Sequence, residues 1–163
     1  MADLKATLKT NRGDIVINLF PNHAPETVDN FVGLAEGTKD YNAGNGRSGP
    51  FYDGLGFHRV VPDFVVQGGD PRGDGNGGTT WRGTPLRREF TPRKFVRGSL
   101  GMPRNDDPDS GGSQIFVTHR ETPHLDGRYT LFGELREGLE VLDLLEVGDT
   151  IQTVRLLGAD GSR

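Results

Sequence analysis

Side chains able to do chemistry are most concentrated between residues 57 and 70, where Phe57-His58-Arg59-Val60-Val61 and Phe64-Val65-Val66-Gln67 form two short apolar runs separated by Pro62-Asp63. Period-two alternation puts Arg59 on the same strand face as Phe57 and Val61, so a guanidinium projects from an otherwise apolar row. A charge in that position needs a partner or a task. Asp63 or Asp70 could neutralise it in a structural ion pair. Alternatively, it is a fixed set of donors offered to a ligand. The residues alone leave both readings open.

Other chemistries fall away on spacing. Gly73-Asp74-Gly75-Asn76-Gly77-Gly78 matches the dinucleotide-binding fingerprint, but Thr79-Thr80-Trp81-Arg82-Gly83-Thr84-Pro85 has no helical period, so no helix N-terminus would face a pyrophosphate. Asn105, Asp107 and Asp109 resemble the start of a calcium loop, yet its sixth position is Ser110 and its twelfth Phe116. The histidines, His23, His58, His119 and His124, are scattered, and the chain has no Cys, so neither a zinc site nor a thiol nucleophile is expected. Ser113 lies in Gly111-Gly112-Ser113-Gln114 without the nucleophile-elbow pattern. No metal and no cofactor is expected.

Gly (25) and Pro (10) are about a fifth of the 163 residues, against roughly 12% in ordinary usage. The expectation is one loop-rich domain over residues 1–163 with a real core. A net charge of −4 argues against a domain-wide phosphate-binding surface, leaving only the local run Arg82, Arg87, Arg88, Arg93, Lys94, Arg97 as a weak RNA alternative that salt would abolish. Absence of Cys and of any long apolar run predicts a cytoplasmic protein without membrane contact.

The elements that must position Arg59 are legible in outline. Leu4, Ala6 and Leu8, a turn at Asn11-Arg12-Gly13-Asp14, and Ile15, Ile17 and Leu19 predict a β-hairpin. Pro25, then Val28, Phe31, Val32 and Ala35, then Gly37 predict an amphipathic helix. Residues 38–50 read as a polar loop, Phe57–Val61 and Phe64–Gln67 as strands, and Gly68–Gly83 as a glycine-dense loop. Gln114–Thr118 and Thr130–Leu135 read as buried strands, Leu139, Leu142 and Leu145 as a second helix, and Ile151–Leu157 as a last strand. This order predicts a mainly β fold, a closed antiparallel barrel capped by two α-helices.

The segment from Phe57 to Asp70 closely resembles the signature of the cyclophilins, barrel-fold peptidyl-prolyl isomerases. So do Gly111-Gly112-Ser113-Gln114-Ile115-Phe116-Val117 and Pro123-His124-Leu125-Asp126-Gly127-Arg128-Tyr129-Thr130-Leu131-Phe132-Gly133. Supporting matches at Ala24–Phe31, Gly49–Gly54 and Gly148-Asp149 extend the resemblance over nearly the whole chain, and the short loops look bacterial. The resemblance implies eight strands and catalysed X-Pro isomerisation that assists protein folding, with proline-containing peptides and unfolded or folding proteins as partners and a monomeric state. Arg59 would act at the prolyl nitrogen. Phe64, Val65, Phe116 and Leu125 would line a pocket for the proline ring, Gln67 would orient Arg59 or the substrate carbonyl, and Tyr129 would offer a ring and a hydroxyl. Asn105 would supply a backbone contact and Gln114 a polar wall near the residue before proline. His124 stands where many members carry Trp, Tyr129 where animal forms carry His, Val65 where Met is frequent and Pro103 where a small apolar residue is usual. Loss of the indole implies weak cyclosporin binding. The alternative is a proline-peptide binding or scaffold module of the same fold with little turnover.

Overall fold

The computed structural model describes residues 4–37, 49–81 and 83–158. The hairpin forms as the alternation predicts: β1 (Leu4–Thr10) pairs antiparallel with β2 (Gly13–Leu19), and Ala6, Leu8, Ile15, Ile17 and Leu19 are all buried. Helix α1 (Pro25–Glu36) starts on Pro25 and stops where Gly37 turns left-handed, its N–H bonded to Gly33 O at 3.1 Å. Ala24 at the N-cap has no side-chain oxygen to accept the free N–H groups there. Instead the Glu89 carboxylate accepts the Glu26 and Thr27 N–H groups at 3.2 and 2.7 Å, a cap supplied from 62 residues away.

The remaining strands are short: β3 (Arg59–Val61), β4 (Val65–Gly68), β5 (Ser99–Gly101), β6 (Ile115–Thr118), β7 (Leu131–Glu137) and β8 (Ile151–Gly158), with α2 (Leu139–Leu144) between the last two. Strand β5 has no counterpart in the sequence reading, because three residues carry no period and Ser99-Leu100-Gly101 becomes a strand only by pairing with both β6 and β7. Residues 38–48 of the expected polar loop, and Arg82, lie outside the described residues.

All eight strands join one antiparallel sheet in the order β3-β4-β6-β5-β7-β2-β1-β8. The sheet is an open half-barrel, which corrects the expected closed barrel. Its edge strands β3 and β8 share no ladder. Only an isolated bridge, Gly56 to Thr150, crosses between their flanks, with Phe57 N–H donating to Asp149 O at 2.8 Å and Ile151 N–H to Leu55 O at 2.7 Å. Strand β3 ends after three residues at Pro62, too short to carry a second ladder.

Alternation sorts the central strands between two apolar clusters. Val60, Val66, Leu100 and Val117 face the main core with Phe31, Tyr52 and Phe132. Val61, Val65, Phe116 and Leu131 face outward, where Phe95 and Leu125 cover them and Phe64 and Tyr129 pack at the rim. Phe57 belongs to the main core, so it does not share the Arg59 face as the alternation predicted. The regular strand begins only at Arg59.

Candidate active site

Register places the reactive side chains on the outward face. In the β3–β4 ladder Arg59 stands opposite Gln67 and Val61 opposite Val65, and in the β4–β6 ladder Gln67 stands opposite Phe116. Arg59, Gln67 and Phe116 therefore form one row across three strands, with Val61 and Val65 in the next.

This face carries a cavity of about 170 Å³ lined by Arg59, Phe64, Val65, Gln67, Pro103, Arg104, Phe116, Leu125 and Tyr129. Eight of the eleven residues expected from the sequence thus converge. Its floor is rigid: Phe116 stacks on Phe95 (ring centroids 5.7 Å apart, 17° between planes) and meets Tyr129 edge-on at 5.9 Å. Gly101, opposite Phe116, leaves room for that ring, since a Cβ there would collide with both Phe116 and Phe95.

A larger cavity of about 380 Å³ adjoins it, sharing Gln67, Pro103 and Arg104. Asn105 and Gln114 line this second space, together with residues 75–79 and 110–113. Gly111 and Gly112 lie along it, whereas Gly68 and Gly69 are buried against Phe57 and against Tyr52 and Ser113. His124 lines neither cavity. It is exposed, its ring 5.5 Å from that of Phe64.

Neither acid expected to neutralise Arg59 does so. Asp63 pairs with Arg120 at 2.9 Å. Asp70 is buried and accepts N–H bonds from Arg72, Asp74 and Gly75 at 2.9, 3.1 and 2.6 Å. Burial alone would raise the Asp70 pKa, but these amides, with that of Gly77, outweigh it and hold the carboxyl below its usual range. Asp70 thereby shapes the glycine loop around its own oxygens, the anion-in-a-nest arrangement seen from inside the protein.

That loop is tied to Arg59 by a relay of amides. Gln114 Nε2 donates to Gly75 O and Gly77 O, both at 3.0 Å, Gln67 Nε2 donates to Gln114 Oε1 at 2.9 Å, and Arg59 Nη1 donates to Gln67 Oε1 at 3.2 Å. Each amide has one orientation that satisfies both neighbours, so the chain of donors fixes the guanidinium, which is itself exposed and lines the cavity. The Arg59 Cζ lies 5.9 Å from the Phe64 ring centroid.

Ser113 is spoken for. Its hydroxyl donates to Gly69 O at 2.7 Å, and its own carbonyl accepts the Tyr52 hydroxyl at 2.7 Å. Burial drives the Tyr52 pKa far above its usual value, which keeps that donor neutral. The basic run is likewise divided: Arg88 pairs with Asp109 and Arg97 with Asp143, while Arg93 lies 3.8 Å over Phe20. No group of three or more His, Asp or Glu with metal-holding geometry occurs among the described residues, and no helix among them is long and apolar enough to cross a membrane.

Sequence reasoning missed Arg104. Its only signal would have been β5, because the chain leaves that strand beside Phe116 and passes through Met102 and Pro103 to the rim of both cavities.

The family model for cyclophilin type peptidyl-prolyl cis-trans isomerases matches residues 5–159. The chain is 55% identical over 139 residues to peptidyl-prolyl cis-trans isomerase A of Mycobacterium tuberculosis, covering 83% of this chain and 75% of the relative. It is 45% identical over 152 residues to the peptidyl-prolyl cis-trans isomerase of Helicobacter pylori, covering 91% and 84%. A cyclophilin-type isomerase of Cryptosporidium parvum, crystallised in the presence of the dipeptide Ala-Pro, superposes with a TM-score of 0.81 at 30% identity, covering 92% of this chain and 96% of that one.

Proposed function

Because the chain belongs to the cyclophilin-type peptidyl-prolyl cis-trans isomerases, we propose that Arg59 is its catalytic residue and that the 170 Å³ cavity is its proline site. The reaction breaks no covalent bond. Rotation about the X-Pro amide is slow because it sacrifices resonance, at a barrier of roughly 18–20 kcal/mol. When the amide twists, its nitrogen turns pyramidal and regains a lone pair, and a guanidinium held at that nitrogen binds the twisted form better than either planar form. About 4 kcal/mol recovered this way is roughly a thousandfold in rate.

Each remaining residue has a place in this reading. Phe64, Val65, Phe116, Leu125 and Pro103 hold the ring by apolar contact, with Tyr129 closing one side. Gln67 positions Arg59, and Gln114 positions Gln67. Asn105 borders the path of the peptide beyond the pocket, and His124 flanks Phe64 at the mouth. Its partners are proline-containing segments of unfolded or folding proteins, engaged by a monomer in the cytoplasm, and cyclosporin is held weakly. The observation that carries the assignment is the amide relay, which aims an acid-free guanidinium across an apolar pocket of proline size.

A protease-coupled isomerisation assay on an Ala-Pro peptide tests it. Arg59→Ala should lower kcat/KM by about a hundredfold or more. Rates equal to the uncatalysed value for both proteins, with peptide binding retained, would instead mark a binding module.

A further inference from the structure

We infer that Arg104 is a specificity-determining residue that selects peptides carrying an acidic side chain two residues before the proline. The inference rests on the proline-site reading above and concerns what lies next to it. Arg104 and Arg59 both line the smaller cavity, and Arg104 alone of the two also lines the larger one. Its geometry is set before any peptide arrives. Nε donates to Arg128 O at 2.8 Å, Nη1 donates to Asn105 O at 3.0 Å, and the guanidinium lies 4.8 Å over the Tyr129 ring. Two donors and one face are used, leaving part of a five-donor fork for a ligand.

Charge pairing separates this arginine from half of those among the described residues. Arg12, Arg72, Arg88, Arg97, Arg120 and Arg155 each have a carboxylate within ion-pair distance. Among the described residues, the two arginines of the cleft have none. The acids nearest Arg104 in sequence are committed elsewhere or exposed: Asp109 to Arg88, Asp107 Oδ1 to the Asp109 N–H at 2.9 Å, and Asp106 to solvent. Across the larger cavity Asp74 is paired with Arg72. A cleft in a chain of net charge −4 therefore carries two positive walls.

The position of the acid follows from peptide geometry. The X-Pro amide must lie at Arg59, and Gln67 is shared with the larger cavity, so the chain before the proline runs toward that cavity. In an extended peptide side chains alternate, so the residue two before the proline points to the same side as the ring, into the protein surface. Arg104 is the cation on that line.

The test compares kcat/KM for Glu-Ala-Pro-Phe and Gln-Ala-Pro-Phe peptides in wild type, Arg104→Met and Arg104→Lys. Wild type should favour the Glu peptide about fivefold at low ionic strength, with the ratio shrinking toward one as salt is added. Arg104→Met, which keeps an apolar stem against Tyr129, should bring the ratio to one even though both rates fall, and Arg104→Lys should restore a ratio above one. A wild-type ratio of one overturns the inference while leaving the isomerase reading intact. A preference that persists in Arg104→Met assigns it to Arg59 and also overturns it. Failure of wild type to turn over either peptide overturns both readings.

Discussion

The two adjoining cavities are built by different means. The 170 Å³ pocket is walled by side chains, several standing on strands whose partners on the opposite face make up the main core. The 380 Å³ space is lined largely by loop residues, six of them glycine, tied together by one buried carboxylate, one glutamine and one serine hydroxyl. A side-chain pocket inherits the stability of the sheet, and damage to it should register as unfolding. A loop cavity depends on a few polar contacts, and damage to it should register in function first.

Phe116→Ala is the sharpest test of the first half. The ring is buried and stacked on Phe95, so its loss should cost ~3–5 kcal/mol in chemical denaturation and at the same time remove part of the lining of the 170 Å³ cavity. Isomerase activity lost with stability unchanged would break the coupling claimed here. Asp70→Ala probes the second half and should cost ~1–3 kcal/mol, because it strands several amides in the glycine loop. Amide protons of residues 72–77 should lose protection while those of β4 and β6 keep it.

Gln114→Ala should do less to stability, under ~1.5 kcal/mol, yet lower kcat/KM about tenfold by releasing Gln67 and then Arg59. Rescue by Gln114→Glu should fail, since a carboxylate cannot donate to Gly75 O and Gly77 O.

Acid should separate the regions as well. Asp70 is held below its usual pKa, so its contribution is fully present above the unfolded value near pH 4 and is lost as pH falls through the lowered folded value. The loop cavity should loosen at a pH where the sheet still holds. Asp109 follows the same sign, held at about 2 by its hydrogen bond to Arg88. Arg88→Ala should raise it in an NMR titration, but only part of the way, because the backbone N–H of residue 88 still donates to Asp109.

The smallest effect belongs to the turn joining β3 to β4. Phe64 N–H donates to Val61 O at 3.0 Å across Pro62-Asp63, and Asp63 sits at φ 62°, a left-handed conformation that favours glycine. Asp63→Gly should be neutral to stabilising by ~1 kcal/mol, offset by the loss of an exposed pair with Arg120. Turnover should not change.

The same division explains what could be read in advance. Hydrophobic period and punctuating Gly and Pro were enough to outline the hairpin, both helices and the longer strands, because these signals are local. Eight of the eleven candidate residues line one cavity, but it is resemblance to a family that assembles them in advance; local pattern covers Arg59 opposite Gln67 across the β3–β4 turn, and Gln67 meets Phe116 only through pairing with a distant strand. The 3-residue β5, the single bridge in place of a second ladder at the sheet edge, and the cap that Glu89 lends to α1 all depend on partners far along the chain. So do the fate of Asp63 and Asp70, the relay from Gln114 to Arg59, and the placing of Arg104 between two cavities. The sequence by itself determined which faces were apolar and that an arginine stood on one of them. Only the tertiary structure decided which groups would reach that arginine, because a carboxylate four residues away along the chain pairs with Arg120 instead, while Gln114, 47 residues from Gln67, hydrogen-bonds to the amide that holds it.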